Sequence, residues 1–294
     1  MMKNLTLENH YLKVNINPIG AELCGLLDKR DGVEHMWSAD PKFWPRRAPI
    51  LFPCVGESRE GKINVGRVDY PMGRHGFVRH EEFTIVEETK KAVVFELRNN
   101  LTTEQYYPFE FILRTKYELN DAKLVQSFEV MNTGDVELGF QLGGHPAFTV
   151  PFNEGEKYDE YEIVFDSPQT LNRHLLTENG LYSGDTRMFL ENESSFGLYY
   201  DLFAEDALVF KNIPSKRVWI QHKNGGKRLQ VDYQEFSHLG IWSIPGANYV
   251  CIEPWIGCAD FSNQPKDFFQ KDSIVKLQPK ETFKVAFSVS LIDG

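Results

Sequence analysis

Two stretches of the chain carry residue types suited to moving protons. His145 lies in LGFQLGGHPAF (138–148) and Glu253 in ANYVCIEPW (247–255). An imidazole titrates near neutral pH, and a carboxylate is ionised at pH 7. Together they can serve one reacting group as acid and base. Two glycines before His145 admit close approach of chain or ligand, and the prolines at 146 and 254 restrict the backbone immediately after each residue. The competing reading is structural: His145 satisfies a backbone carbonyl and Glu253 pairs with an arginine. Residue types alone do not separate the two.

Further polar residues gather in short motifs. His75 and Arg79 sit in GRHGFVRH (73–80), Arg47 in RRAPILFPCVG (46–56), and Asp206 opens DALVFK (206–211). His75 and Arg47 are candidates to contact substrate, and Asp206 to accept hydroxyls. Arg46, Arg47, Arg74 and Arg79 are a candidate phosphate grip, or else surface and ion-pair residues. His75 and His80 are a poor metal pair at a separation of five. Trp37, Trp44, Trp242 and Trp255 could stack on the apolar face of a sugar ring, or pack in the core. There is no Walker loop, GxGxxG, GxSxG or HExxH motif.

The elements that must position these residues read as strands. Leu12, Val14 and Ile16 alternate with polar neighbours, as do Leu229, Val231 and Tyr233, while Val93, Phe95 and Leu97 alternate with Val94, Glu96 and Arg98. The longest run takes in Phe283, Val285, Phe287, Val289 and Leu291. Period-two patterning of this kind marks half-buried antiparallel strands. Asn120-Asp121, Asn132–Asp135 and Asn224–Gly226 are candidate hairpin connectors. Short helices are expected at Asp40-Pro41 and near Asp267–Lys271. The same alternation puts Leu138, Phe140 and Leu142 on one face, and Gln141 with His145 on the other. It also turns Tyr249, Cys251 and Glu253 away from Val250 and Ile252, leaving Glu253 at a strand end. The expected architecture is all-β: a large antiparallel β-sandwich with few short helices, one domain over 1–294.

Bulk properties narrow the partners. The chain has 294 residues and a formal charge of −10. An acidic chain without basic blocks is poorly suited to nucleic acid or anionic lipid. Cys24, Cys54, Cys251 and Cys258 form no CxxC pair and read as reduced thiols. Without a signal-like or membrane-spanning apolar run, the expected location is the cytoplasm.

The five motifs RRAPILFPCVG, HGFVR, GGHPAF, DALVFK and IEPWIG, in this order, resemble the aldose 1-epimerase, or galactose mutarotase-like, family and most closely its bacterial mutarotase-related branch. The resemblance spans nearly the whole chain. It implies a β-supersandwich that interconverts α and β anomers of a sugar or sugar phosphate without cofactor or metal. It implies Glu253 as general base and His145 as general acid, with His75, Arg47 and Asp206 lining the sugar site. Arg79 and Trp242 join them as expected substrate contacts. Still open are a hexose-6-phosphate epimerase, a sugar-binding protein without catalysis, a glycosidase with paired carboxylates, and the choice between monomer and homodimer.

Overall fold

The alternating segments become strands whose apolar residues share one buried face. In Leu12–Asn17 the buried and half-buried positions strictly alternate, and Thr282–Ile292 buries Val285, Phe287, Val289 and Leu291. The coordinates are a computed structural model that describes residues 4–263 and 267–293. Among these residues the only helical segments are six short 3₁₀ turns. None is long and apolar enough to cross a membrane.

Two antiparallel sheets dominate. A nine-stranded sheet runs from Tyr182–Gly197 at one edge, through Thr282–Ile292 near its middle, to Thr84–Glu88 at the other edge. A six-stranded sheet orders Leu208–Phe210, His238–Trp242, Tyr249–Ile256, Leu142–Gly144 and Ile50–Leu51, with Ala147–Thr149 also paired to Tyr249–Ile256. A four-stranded N-terminal sheet and two two-stranded ladders complete the fold. The principal core takes side chains from both large sheets, including Phe287 from one and Ile252 from the other. Its aliphatic and aromatic side chains each contribute about 1.5–3 kcal/mol on burial.

Several local expectations change. Asn120-Asp121 and Asn224–Gly226 do join paired strands, Phe111–Asn120 with Lys123–Asn132 and Arg217–His222 with Arg228–Asp232. Asn132–Asp135 is instead a crossover that leaves the nine-stranded sheet for the small ladder of Leu138–Phe140 and Val275–Leu277. Asp267 caps a short 3₁₀ turn, Phe268–Gln270, by accepting the Phe269 N–H at 2.9 Å. At Asp40 a single turn forms, with the Phe43 N–H donating to the Asp40 carbonyl. It goes no further because Trp44 precedes Pro45, which disfavours helical backbone at residue 44.

Candidate active site

The strand expected to run through LGFQLGG is broken at Gln141. Leu138–Phe140 and Leu142–Gly144 belong to different sheets. Gln141 itself is buried: its Oε1 accepts the Val55 N–H and its Nε2 donates to the Asp272 carbonyl. It therefore anchors loops and does not accompany His145.

His145 is aimed by an interrupted ladder. Gly143 pairs with Trp255 and Ala147 with Cys251, so the register puts His145 opposite Glu253. Between those pairs the ladder is interrupted: the Ile252 N–H still donates to the Pro146 carbonyl at 3.2 Å, but both strands carry a proline there, Pro146 and Pro254, which has no N–H to offer. Glu253 is consequently not at a strand end: Tyr249–Ile256 continues through Pro254, which pairs with Leu239 on the other side. Residues opposite each other in an antiparallel pair share a face, and His145 Nε2 lies 3.2 Å from Glu253 Oε2.

The two glycines before His145 are required by neighbours. A Cβ on Gly143 would lie 2.7 Å from the Trp255 indole, and one on Gly144 would lie 2.7 Å from the Phe287 ring. Gly240, on the other flank of the Glu253 strand, would meet Trp255 at 2.6 Å. Trp255 thus fills a slot between two glycines, while Gly144 lets the site-bearing sheet rest on the nine-stranded one.

His75 is placed by a second interlock. The Phe52 carbonyl accepts the Phe77 N–H, and Gly56 N–H donates to His75 Nδ1 at 3.0 Å. A Cβ on Gly76 would sit 1.9 Å from the Phe52 oxygen, at a φ of +75°. Only glycine fits there.

His145, Glu253, His75, Arg79, Asp206 and Trp242 all line one cavity of about 160 Å³. That is below the roughly 300–1,000 Å³ of drug-sized pockets and suits a small ligand. Trp44 stacks on the His145 ring at 4.9 Å, with Trp242 and His75 edge-on to it at 5.7 and 5.4 Å. Arg47, expected from the sequence to contact substrate, is not among the residues that line this cavity. Its guanidinium donates to the Ser38 carbonyl, while its backbone N–H is held by Glu22. Trp37 is likewise structural: it packs on Tyr249 and donates Nε1–H to the Trp44 carbonyl.

Arg74, Glu57 and Tyr182 join the cavity wall. Arg74 bonds Glu57 at 3.2 Å and lies 3.9 Å from Asp206. Glu57 comes directly after the RRAPILFPCVG motif and could have been read with it. Tyr182 had no sequence signal. It comes from the end of a long hairpin, Tyr161–Leu176 with Tyr182–Gly197, latched where the Tyr182 N–H donates to the Asp260 carbonyl.

Burial sets the electrostatics. His145 and Glu253 are 6% and 1% exposed. Desolvation pulls the His145 pKa down to about 3 and pushes Glu253 well above the usual carboxylate range, with the charge of Asp206 adding to the latter. Both groups are driven toward their neutral forms. His75 is also held far below its ordinary value, first by burial and then by His145. Because the Gly56 N–H occupies its Nδ1, the neutral ring carries its proton on Nε2. Burial, with Arg46 alongside, pulls Arg79 down to about 10, so it stays charged. Its Nε has no hydrogen-bond partner.

The large antiparallel β fold is that of the galactose mutarotase-like class. Residues 3–276 match the aldose 1-epimerase family, and the chain belongs to that family. It is 33% identical to the chromosomal protein LacX of Lactococcus lactis subsp. lactis, over 98% of this chain and 99% of that one. A galactose mutarotase related enzyme from Lactobacillus acidophilus superposes with a TM-score of 0.94 at 31% identity, covering 99% and 97% of the two chains. A galactose mutarotase-like protein from Lactobacillus casei ATCC 334 gives 0.92 at 29%, covering 99% and 100%.

Proposed function

We propose that the protein interconverts the α and β anomers of an aldohexose, with His145 and Glu253 as the acid–base pair. The observation that carries this reading is their 3.2 Å approach inside the cavity. The anomeric hydroxyl oxygen and the ring oxygen are bonded to the same carbon, so groups that must address both have to be near neighbours.

The proton balance is simple. Glu253 carboxylate takes the proton of the anomeric hydroxyl as imidazolium His145 gives one to the ring oxygen. The C1–ring-oxygen bond breaks, and its electron pair stays on the ring oxygen. The product is the open-chain aldehyde, facing protonated Glu253 and neutral His145. Rotation about C1–C2 turns the other carbonyl face toward the new hydroxyl. On closure His145 removes the hydroxyl proton and Glu253 protonates the carbonyl oxygen, which restores the starting pair. One proton crosses between the two side chains in each half, and none is consumed.

Burial favours one half of this cycle and opposes the other. Neutral His145 with protonated Glu253 is the state that closes the ring, and desolvation favours it. The ion pair that opens the ring has the same proton count, and a sugar's two oxygens would stabilise it by hydrogen bonding. Each transfer supplies on the order of 10²–10⁴-fold. His75 Nε2–H, Asp206 and Arg79 would hold hydroxyls that do not react, and Trp44 or Trp242 would face the ring's apolar side.

A phosphorylated hexose is the second reading. It is favoured by Arg74 and the partnerless Nε of Arg79 on the cavity wall. The test is polarimetric relaxation of freshly dissolved α-glucose, α-galactose and their 6-phosphates. Acceleration above buffer for one of the four supports the epimerase reading and selects between its forms. Rates equal to buffer for all four overturn it.

A further inference from the structure

The face that presents His145 and Glu253 presents a third potential ligand that the proposed proton cycle does not use. Cys251 lies two residues before Glu253 in the same strand, so both side chains leave it on the same side. One ring nitrogen of His145, the Cys251 sulfur and one carboxylate oxygen of Glu253 all lie within 4.8 Å of one another. Cys251 is fully buried and belongs to a cluster with Trp37 and Tyr249, against which Trp44 and Trp242 pack. Glu253 Oε2 lies 3.2 Å from His145 Nε2 without forming a hydrogen bond to it, and His145 Nδ1 is likewise buried without a hydrogen-bond partner.

We propose that His145, Cys251 and Glu253 form a three-ligand site for a borderline-soft divalent cation of the Zn²⁺ type, and that its occupancy switches off anomer exchange. Ligands about 2.0–2.3 Å from one zinc ion lie within roughly 4 Å of each other, so the side chains need to close only slightly around it. The donor set of one sulfur, one nitrogen and one oxygen selects Zn²⁺ or Co²⁺ over Mg²⁺ or Ca²⁺, which take oxygen ligands. Charge favours it as well. Binding releases the thiol proton and any carboxyl proton, and a dication with a thiolate and a carboxylate is neutral overall. A neutral cluster avoids the desolvation penalty that each charged group would meet alone in this buried setting. Three protein ligands leave a fourth position for water or a sugar hydroxyl to complete a tetrahedron. The ion would hold the nitrogen and oxygen that must otherwise exchange a proton, so metal binding and catalysis exclude each other. The inhibitory consequence rests on the epimerase reading, whereas the binding site does not.

The experiment is titration of chelator-treated protein with Co²⁺, read as visible absorption, followed by displacement with Zn²⁺. The expected result is one equivalent of Co²⁺ with a thiolate-to-cobalt charge-transfer band that Zn²⁺ abolishes, and loss of anomer exchange at the same metal concentration, reversed by chelator. Cys251→Ala is expected to lose the band and to weaken inhibition about tenfold or more, with its metal-free rate unchanged. Cys251→Ser is run beside it in case the alanine variant does not fold. Absence of the band in wild type, or a band or equal inhibition that survives in the folded Cys251 variant, overturns the proposal. Absorption needs no substrate. An intact band on a protein with no activity toward any sugar would therefore refute the epimerase reading and leave the metal site standing.

Discussion

The Gly56 N–H donates to His75 Nδ1 at 3.0 Å, and this bond decides the tautomer of a histidine on the cavity wall. A backbone amide can only donate, so Nδ1 must accept and Nε2 must carry the proton. His75 is therefore a fixed neutral donor and not a titrating acid. His75→Ala is expected to lower kcat/KM by about 10²–10³, the loss typical of one preorganised donor. The shape of the pH profile should not change. A displaced acid limb in that variant would contradict the assignment.

Of the two arginines assigned to substrate from sequence, the structure separates one from the other. Arg79 lines the cavity with an unpartnered Nε, while Arg47 donates to the Ser38 carbonyl. Arg79→Ala should reduce kcat/KM by about tenfold or more, consistent with losing a charged hydrogen bond of roughly 1.5–3 kcal/mol. Arg47→Ala should leave kcat/KM close to wild type. Steady-state kinetics on the two purified variants gives the comparison, and equal losses would count against it.

Glu253 illustrates a conflict between stability and activity. Its pKa is raised by burial, so its stabilising contribution is complete below the unfolded value of 4.5 and is lost as pH rises through the folded value. At neutral pH the carboxyl group is a burden that an amide of the same shape does not carry. Glu253→Gln is expected to melt at or above the wild-type temperature at pH 7, with the gap closing toward pH 4. Differential scanning calorimetry across that range checks the sign; a variant less stable at pH 7 would oppose it.

Buried histidines predict the acid limit of the fold. His35, His145 and His238 are held down to about 4, 3 and 4 from 6.5, each chiefly by burial. Their folded values are depressed, so the stability they contribute is complete above 6.5 and is lost as pH falls toward 3–4. Each adds a slope of about 1.4 kcal/mol per pH unit within that window. His35 has neither ring nitrogen bonded and packs edge-on to Phe152. His35→Phe should remove about one proton from the slope of unfolding free energy against pH. Urea titrations between pH 4.5 and 6.5 measure it, and an unchanged slope would be a failure.

The strands were readable from alternation because one face of each is buried and the other is not, as in Leu12–Asn17 and Thr282–Ile292. His145 and Glu253 were readable as candidates because their residue types, bordering prolines and glycines stand out locally. Anything fixed by a distant neighbour could not be read. Gln141 breaks its strand because Val55 and Asp272 take its side chain. Arg47 turns away because Ser38 and Glu22 hold it. Tyr182 reaches the cavity through a hairpin whose sequence carries no chemical signal. The glycines at 143 and 144 announce a close approach, but only the fold identifies Trp255 and Phe287 as the groups that approach.

In the proposed cycle His145 and Glu253 pass one proton between a sugar's anomeric and ring oxygens. The most direct measurement is exchange NMR between α and β anomers at equilibrium, on the aldose that responds best to wild type, with His145→Ala and Glu253→Gln beside it. The predicted result is exchange well above buffer for wild type, and a loss of about 10²–10⁴-fold in each folded variant. Exchange within a few-fold of wild type in either variant would contradict it.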